Sequence, residues 1–452
     1  MAYKPNPFTL TAEDRLSTFA VDVDTASYTL FRRQASQGQL PSPESVRVEE
    51  WMNYFTYRYP APQEGDFSVD LEAAPSPFTP GRHLVKVGLQ ARTLTAAQRK
   101  PTHLVFLVDT SGSMNQRDKL PLAKEAMKLA VKNLNENDTV ALVTYAGGTR
   151  DVLPPTPATE FERISQAIDS LQSGGGTAMG SGMELAYRHA VKKASGSVVS
   201  RVVVLTDGDA NIGLTSPESM LNSIQGHVKE GVTLSTIGFG MGNYRDDLME
   251  RLADKGNGNC FYIDSFKEAR KVFEQQLTGT LEVIAKDVKV QVEFDPAVIT
   301  RYRLVGYENR DIADQDFRDD KVDAGEIGAG HSVTALYEVV RAPGAEGKAL
   351  GTVRIRAKTP TGTEASEQAF PIEARQVRES LEAASSDFRF ALAVAASADV
   401  LRGAAPAASW SLASLQKLAR GATDGQADRE EFVQLLGRAR ELMGASVAGD
   451  QR

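Results

Sequence analysis

The chain has 452 residues, 41% hydrophobic and 24% charged, with a formal net charge of −8, and at about 150 residues per domain its length predicts roughly three units. Lys and Arg are spread along it rather than clustered, which excludes the electrostatic footprint of a nucleic-acid binder. Its one cysteine, Cys260, excludes an internal disulfide and a Cys-based zinc site, and no apolar run approaches the ~18–20 residues that span a bilayer.

Taken in chain order, the opening MAYKPNPFTL carries no apolar signal-peptide core, so the chain is expected to be cytoplasmic or an exported form whose signal has been removed. Residues 1–66 read as an N-terminal helical region. Within it, VDVDTASYTLF (21–31) places Asp22, Asp24 and Ser27 in a pattern best read as a strand followed by a helix cap. The aromatic cluster Trp51, Tyr54, Phe55, Tyr57 and Tyr59 is expected to be core at a domain interface rather than an adhesive surface. Residues 67–100 then alternate with period two and contain about two strands, too few to be stable alone.

From 101 to 281 the pattern changes to short apolar runs alternating with helical ones. HLVFLVD (103–109), DTVALVTYA (138–146), SRVVVLTDG (200–208), VTLSTIGFG (232–240) and CFYID (260–264) read as strands buried on both faces. Between them, KLPLAKEAMKLAVKNL (119–134) repeats Ala123, Ala126, Met127, Ala130 and Val131 on one helical face. This is the signature of a doubly wound α/β domain, which binds its ligands at the carboxyl ends of the strands. Residues 282–375 return to period-two alternation, and 376–452 read as three helices. Pooling the two flanking β-rich stretches predicts a β-sandwich into which the α/β domain is inserted.

The chemistry concentrates at three predicted strand ends. GGGTAMGSG (174–182) is a glycine-rich loop opening a helix, but it lacks the Lys-Ser/Thr of a P-loop, and the first strand is followed by no G-x-G-x-x-G. Around Ser111 and Ser113 the sequence D-T-S-G-S-M is not the G-x-S-x-G of a hydrolase elbow, and the five histidines are scattered. A hard divalent cation fits better, because magnesium takes oxygen ligands in octahedral array and keeps several of its waters. Asp109, Ser111 and Ser113 follow the first strand, Thr177 lies in the glycine loop, and Asp207 ends VVVLTD. Asp209 is a candidate for the surrounding shell.

These five positions resemble the metal-ion-dependent adhesion site of the von Willebrand factor type A (VWA) domain: Asp109, Ser111, Ser113, Thr177 and Asp207 match it without a departure. The whole chain, from LSTFAVDVDTASY through VRVEEWMNYFTYRYP and KDVKVQVEFDPAVI to the REEFVQLL helix, resembles a bacterial VWA family with an N-terminal region and a C-terminal domain of unknown function. The resemblance implies a Mg²⁺ site, with Mn²⁺ or Ca²⁺ as alternatives. In it the serine hydroxyls ligate directly, Thr177 directly or through one water, and the aspartates largely through water. It also implies a non-enzymatic protein-binding role, adhesive or scaffolding, in which a partner presents Glu or Asp to the metal. A trimmed lipoprotein or envelope location goes with it. Two other readings remain beside it: an adaptor or substrate-presenting partner of an AAA-type ATPase, and a metal-dependent hydrolase. The relatives' switching last helix corresponds to FKEARKVFEQQLTGTL (266–281).

Overall fold

The computed structural model describes residues 4–208, 217–240, 246–276, 279, 281–322, 324–360, 362–404 and 410–449. The chain divides into two compact units, one of residues 93–283 with 328–330, the other of 1–92, 284–327 and 331–452. Among the described residues no helix is long and apolar enough to cross a membrane.

The N-terminal flank contributes β1 (Thr9–Leu10), β2 (Leu16–Ala20), α1 (Ala26–Ser36), α2 (Val48–Tyr54), β3 (Phe67–Pro75) and β4 (Arg82–Ala91). The insert then runs β5 (Thr102–Asp109), α3 (Leu120–Lys132), β6 (Thr139–Tyr145), β7 (Thr149–Pro157), α4 (Phe161–Asp169), α5 (Met179–Val191), β8 (Val199–Thr206), α6 (Pro217–Lys229), β9 (Val232–Phe239), α7 (Asp246–Lys255), β10 (Cys260–Ile263) and α8 (Phe266–Arg270). The C-terminal flank supplies β11 (Val283–Phe294), β12 (Ile299–Val305), β13 (Gly325–Gly328), β14 (Ser332–Arg341), β15 (Gly351–Lys358), β16 (Ala365–Ile372), α9 (Ser386–Leu401), α10 (Leu412–Arg420) and α11 (Ala427–Gly449).

The flanks form a sandwich of two sheets, ordered β1-β12-β14-β4-β3 and β13-β11-β15-β16, with β2 paired to β11. Along β4, Val85, Val87 and Leu89 enter the large shared core together with Val290, Val292, Val353 and Ile355 of the second sheet. Phe294 meets Tyr302 and Tyr337 across it, with ring centroids 4.8 and 5.3 Å apart. The alternate positions face the helices: Leu84 packs with Phe388 and Leu392. A Cβ on Gly88 would sit 2.4 Å from the Tyr59 ring, so a side chain there would exclude that ring. Residues 9–10 and 16–20, expected in a helical region, are instead strands of the sandwich. Leu16–Ala20 found their partners in 289–293, a pairing that no local pattern encodes.

The aromatic cluster is core. Trp51, Tyr54, Phe55, Tyr57 and Tyr59 are all buried, and Phe55 stands edge-on to both Phe390 and Phe432. The expected local cap of α1 is replaced by a tertiary one. Thr25 makes no side-chain cap bond, and Glu50 of α2 instead accepts from the Ser27 N–H at 2.7 Å. Asp22 and Asp24 are answered by Arg310, at 3.2 and 3.6 Å.

In the insert the sheet order is β10-β9-β8-β5-β6-β7. All neighbours are parallel except β6 and β7. The sequence pattern omits β7, whose Pro154, Pro155 and Pro157 argue against a strand; as the sheet's edge it tolerates missing donors. The five expected strands and the helix expected over 119–134 fall within two or three residues of their expected spans, and α3 buries Ala123, Ala126, Met127, Ala130 and Val131. After α8 the helix expected over 266–281 becomes a π turn at Lys271–Gln275, in which the Gln276 N–H reaches Lys271 O at 3.1 Å while Val272 and Phe273 stay buried. Entry and exit of the insert meet, since the Lys100 N–H donates to Glu282 Oε2 at 3.0 Å.

Candidate metal centre

Counted within the insert, the strand order is that of a doubly wound sheet, with the chain reversing direction of travel between β5 and β8. Their carboxyl ends are where such a fold opens a crevice. Val108 is opposite Leu205 in the parallel register, so Asp109, the last residue of β5, lies beside Thr206, with Asp207 following immediately. The neighbouring apolar strands bury both acids.

Asp109 is fully buried and held at both oxygens: Oδ1 accepts from the Ser111 N–H at 2.8 Å and Oδ2 from the Thr206 hydroxyl at 3.1 Å. The first bond folds the chain back after the strand and brings Ser111 and Ser113 together, with their hydroxyl oxygens 2.9 Å apart. Adjacent vertices of an octahedron with ~2.1 Å metal–oxygen bonds are separated by about 3.0 Å, so this pair matches two neighbouring magnesium ligands. Burial pushes the Asp109 carboxyl above the ordinary aspartate value; hydrogen bonds from Ser111 oppose this, and the Asp207 charge adds to it. Tyr145, fully buried, has its phenol raised well above its usual value by burial and by the Asp109 charge. Two carboxylates that crowd each other in a dry place are a donor set suited to a cation.

The glycine loop is stapled to this turn by the backbone. The Gly112 N–H donates to Gly175 O at 3.1 Å, and the Gly174 N–H to Thr110 O at 2.8 Å. These bonds bring the loop of Thr177, which is half-buried just before α5, to the Asp109 turn. Asp109, Ser111, Ser113 and Asp207 are thus assembled at adjoining strand ends, with the Thr177 loop fastened beside them. Asp209 lies outside the described residues. Among the described residues no group of three or more His, Cys, Asp or Glu side chains is arranged to hold a metal.

One side chain at these strand ends was not singled out from sequence. Lys119 Nζ donates to Asp207 Oδ2 at 2.8 Å, and both side chains are buried. The available signal was its position: Lys119 is the residue preceding α3, at the helix end where the dipole disfavours a positive charge. The described histidines of the insert lie elsewhere. His103 is the second residue of β5 and bonds Thr139, and its pKa is pushed down to about 4, chiefly by burial. His189 contacts Asp151, and His227 contacts Glu230.

Comparison with known proteins agrees with this architecture. The family profile described as von Willebrand factor type A domain matches residues 103–275, one described as von Willebrand factor matches 1–86, and one described as uncharacterized protein YfbK, C-terminal, matches 279–349 and 341–442. The chain is 39% identical over 462 residues to the uncharacterized protein YfbK of Escherichia coli, spanning 96% of this chain and 80% of that protein. It is 26% identical over 235 residues to the uncharacterized protein sll0103 of Synechocystis, covering 51% of this chain and 55% of that one. The structure of a von Willebrand factor type A protein from Catenulispora acidiphila covers 84% of this chain and 91% of its own, with a TM-score of 0.51 and 21% identity. That likeness speaks to the fold.

Proposed function

We propose that this chain, which belongs to the bacterial YfbK family of von Willebrand factor type A proteins, captures an acidic side chain of a partner protein through a divalent cation. VWA domains commonly mediate protein–protein interaction; the metal dependence and the acidic ligand are the reading offered here. The observation that carries it is the Ser111–Ser113 hydroxyl pair, 2.9 Å apart, folded against the buried Asp109 at the sheet's switch point.

In this reading Ser111, Ser113 and Thr177 supply hydroxyl ligands, and Asp109 and Asp207 supply charge, directly or through water. Magnesium suits the set best, with Mn²⁺ or Ca²⁺ as substitutes. Neutral hydroxyls leave the ion's charge incompletely quenched, so an outside carboxylate is attracted to it, more strongly where apolar contact excludes water. The ion's role is to bind rather than to activate a water: His103 sits at the opposite end of its strand, and His189 and His227 are paired elsewhere on helices. Family resemblance favours a cell-envelope location.

The test is capture from an envelope extract with the full chain immobilised, in Mg²⁺ and in EDTA, with Ser113→Ala in parallel. Partner retention by the natural chain in Mg²⁺ alone is the expected result. Retention that survives EDTA, or that Ser113→Ala leaves unchanged, refutes the reading.

A further inference from the structure

We propose that Lys119 is a resident counter-cation of the metal site, competing with the divalent ion for Asp207 and holding the site's metal affinity low. The inference rests on the metal-site reading above and goes beyond it, since a lysine is no part of the matched ligand set.

The first observation is the ion pair. Lys119 Nζ lies 2.8 Å from Asp207 Oδ2, with the lysine 6% and the aspartate 5% exposed. A buried ammonium loses much of its hydration and is held there by a partner charge or not at all. The second observation is a groove shaped to the lysine stem. Gly240, directly after β9, has φ +76°, and a Cβ on it would stand 2.4 Å from Lys119 Cε and 2.5 Å from Cγ. The Gly240 carbonyl is fixed by the Tyr262 hydroxyl. Any other residue at 240 would push the stem away from Asp207. The helix does not recruit the lysine: at the amino end of α3 its charge opposes the dipole, and its side chain makes no cap bond.

Charge counting gives the consequence. Asp109 and Asp207 together carry −2, and Lys119 reduces this to −1 before any metal arrives. A divalent ion therefore meets a half-neutralised site and either displaces the ammonium from Asp207 or shares the carboxylate with it. When both cations are present the site carries a surplus positive charge, which an incoming carboxylate cancels. Lys119 thus ties stable metal occupancy to the presence of the acidic partner and discourages a permanently loaded site.

The experiment is calorimetric titration of the metal-stripped full chain with Mg²⁺ and with Mn²⁺, comparing the natural protein with Lys119→Met, Lys119→Gln, Lys119→Arg and Asp109→Asn. Methionine keeps the stem over Gly240 and removes the charge; glutamine repeats the test should the methionine variant not fold. Expected is an affinity tightened about tenfold or more in Lys119→Met or Lys119→Gln, with Lys119→Arg within about twofold of the natural protein. The metal-free Met and Gln variants should melt below the natural protein, because Asp109 and Asp207 then face each other unneutralised. Equal or weaker metal binding in the neutral variants overturns the proposal while leaving the site intact. Tightening by arginine as well overturns it too, since packing rather than charge would then be at work. Asp109→Asn, which removes a proposed ligand charge, should bind more weakly than the natural protein; if the natural protein and the neutral variants all fail to bind, the metal site itself is refuted, and this proposal with it.

Discussion

Asp109→Asn separates the metal's contribution from the fold's. The amide is isosteric with the carboxylate: its oxygen accepts from the Ser111 N–H as Oδ1 does now. Its NH₂ donates to the Thr206 hydroxyl, which rotates from donor to acceptor while still receiving the Gly208 N–H at 3.1 Å. What changes is charge. Burial and Asp207 both disfavour ionised Asp109, so the metal-free variant should melt above the metal-free natural protein. In metal the order should reverse. A ligand at 100 times its Kd stabilises the folded state by about 2.7 kcal/mol. For a unit the size of the insert (93–283) that raises Tm by roughly 5–11 °C, at about 2–4 °C per kcal/mol. Scanning calorimetry of the full chain, with and without saturating Mg²⁺, should show that rise in the natural protein and little of it in Asp109→Asn. A variant that keeps the full Mg²⁺-dependent rise would refute the assignment of Asp109 to the cation.

Two further perturbations address each unit separately. Asp138, fully buried, accepts from the Thr102 and Asn135 N–H groups at 2.7 Å each and pairs with buried Arg99, locking the amino end of β5 far along the strand from the site. Asp138→Ala strands that guanidinium and should cost about 3–5 kcal/mol of unfolding free energy, read from the urea transition, while leaving Mg²⁺ affinity within twofold; a loss under about 1 kcal/mol would show that the pair carries little. In the sandwich unit Glu49 is buried against the Tyr307 N–H, and its carboxyl is raised to about 7, first by burial and then by Glu308 and Asp22. Between its ordinary value and 7 the folded chain keeps a proton that the unfolded chain has lost, so this contribution is full below about pH 4.5 and is lost as pH rises through 7, amounting to about 3 kcal/mol. Glu49→Gln should flatten that slope and leave the unit more stable at pH 8, and a denaturation series from pH 5 to 8 that keeps its slope in the variant would refute the assignment.

Local pattern sufficed for much of this protein. Apolar runs of strand length in 102–263, the Ala123–Val131 face and the D-x-S-x-S turn are written in neighbouring residues, because helix and strand periods and the fold-back after Asp109 are short-range properties. The five proposed ligands were legible for the same reason: each sits at a strand end or in a glycine loop whose place follows from the alternation. Tertiary structure alone decided which distant segments meet. Strand 16–20 pairs with 289–293, three prolines in 149–157 are accommodated only because the strand lies at the edge, and Glu50 caps a helix that starts more than twenty residues before it. Lys119 belongs with these. In sequence it is one more charge at the head of a helix, and what makes it a candidate part of the metal centre is a groove at Gly240 and a carboxylate at Asp207, each brought to it by a different strand. Pairings of this kind depend on burial and electrostatics at points remote in the chain, and a one-dimensional pattern does not carry them.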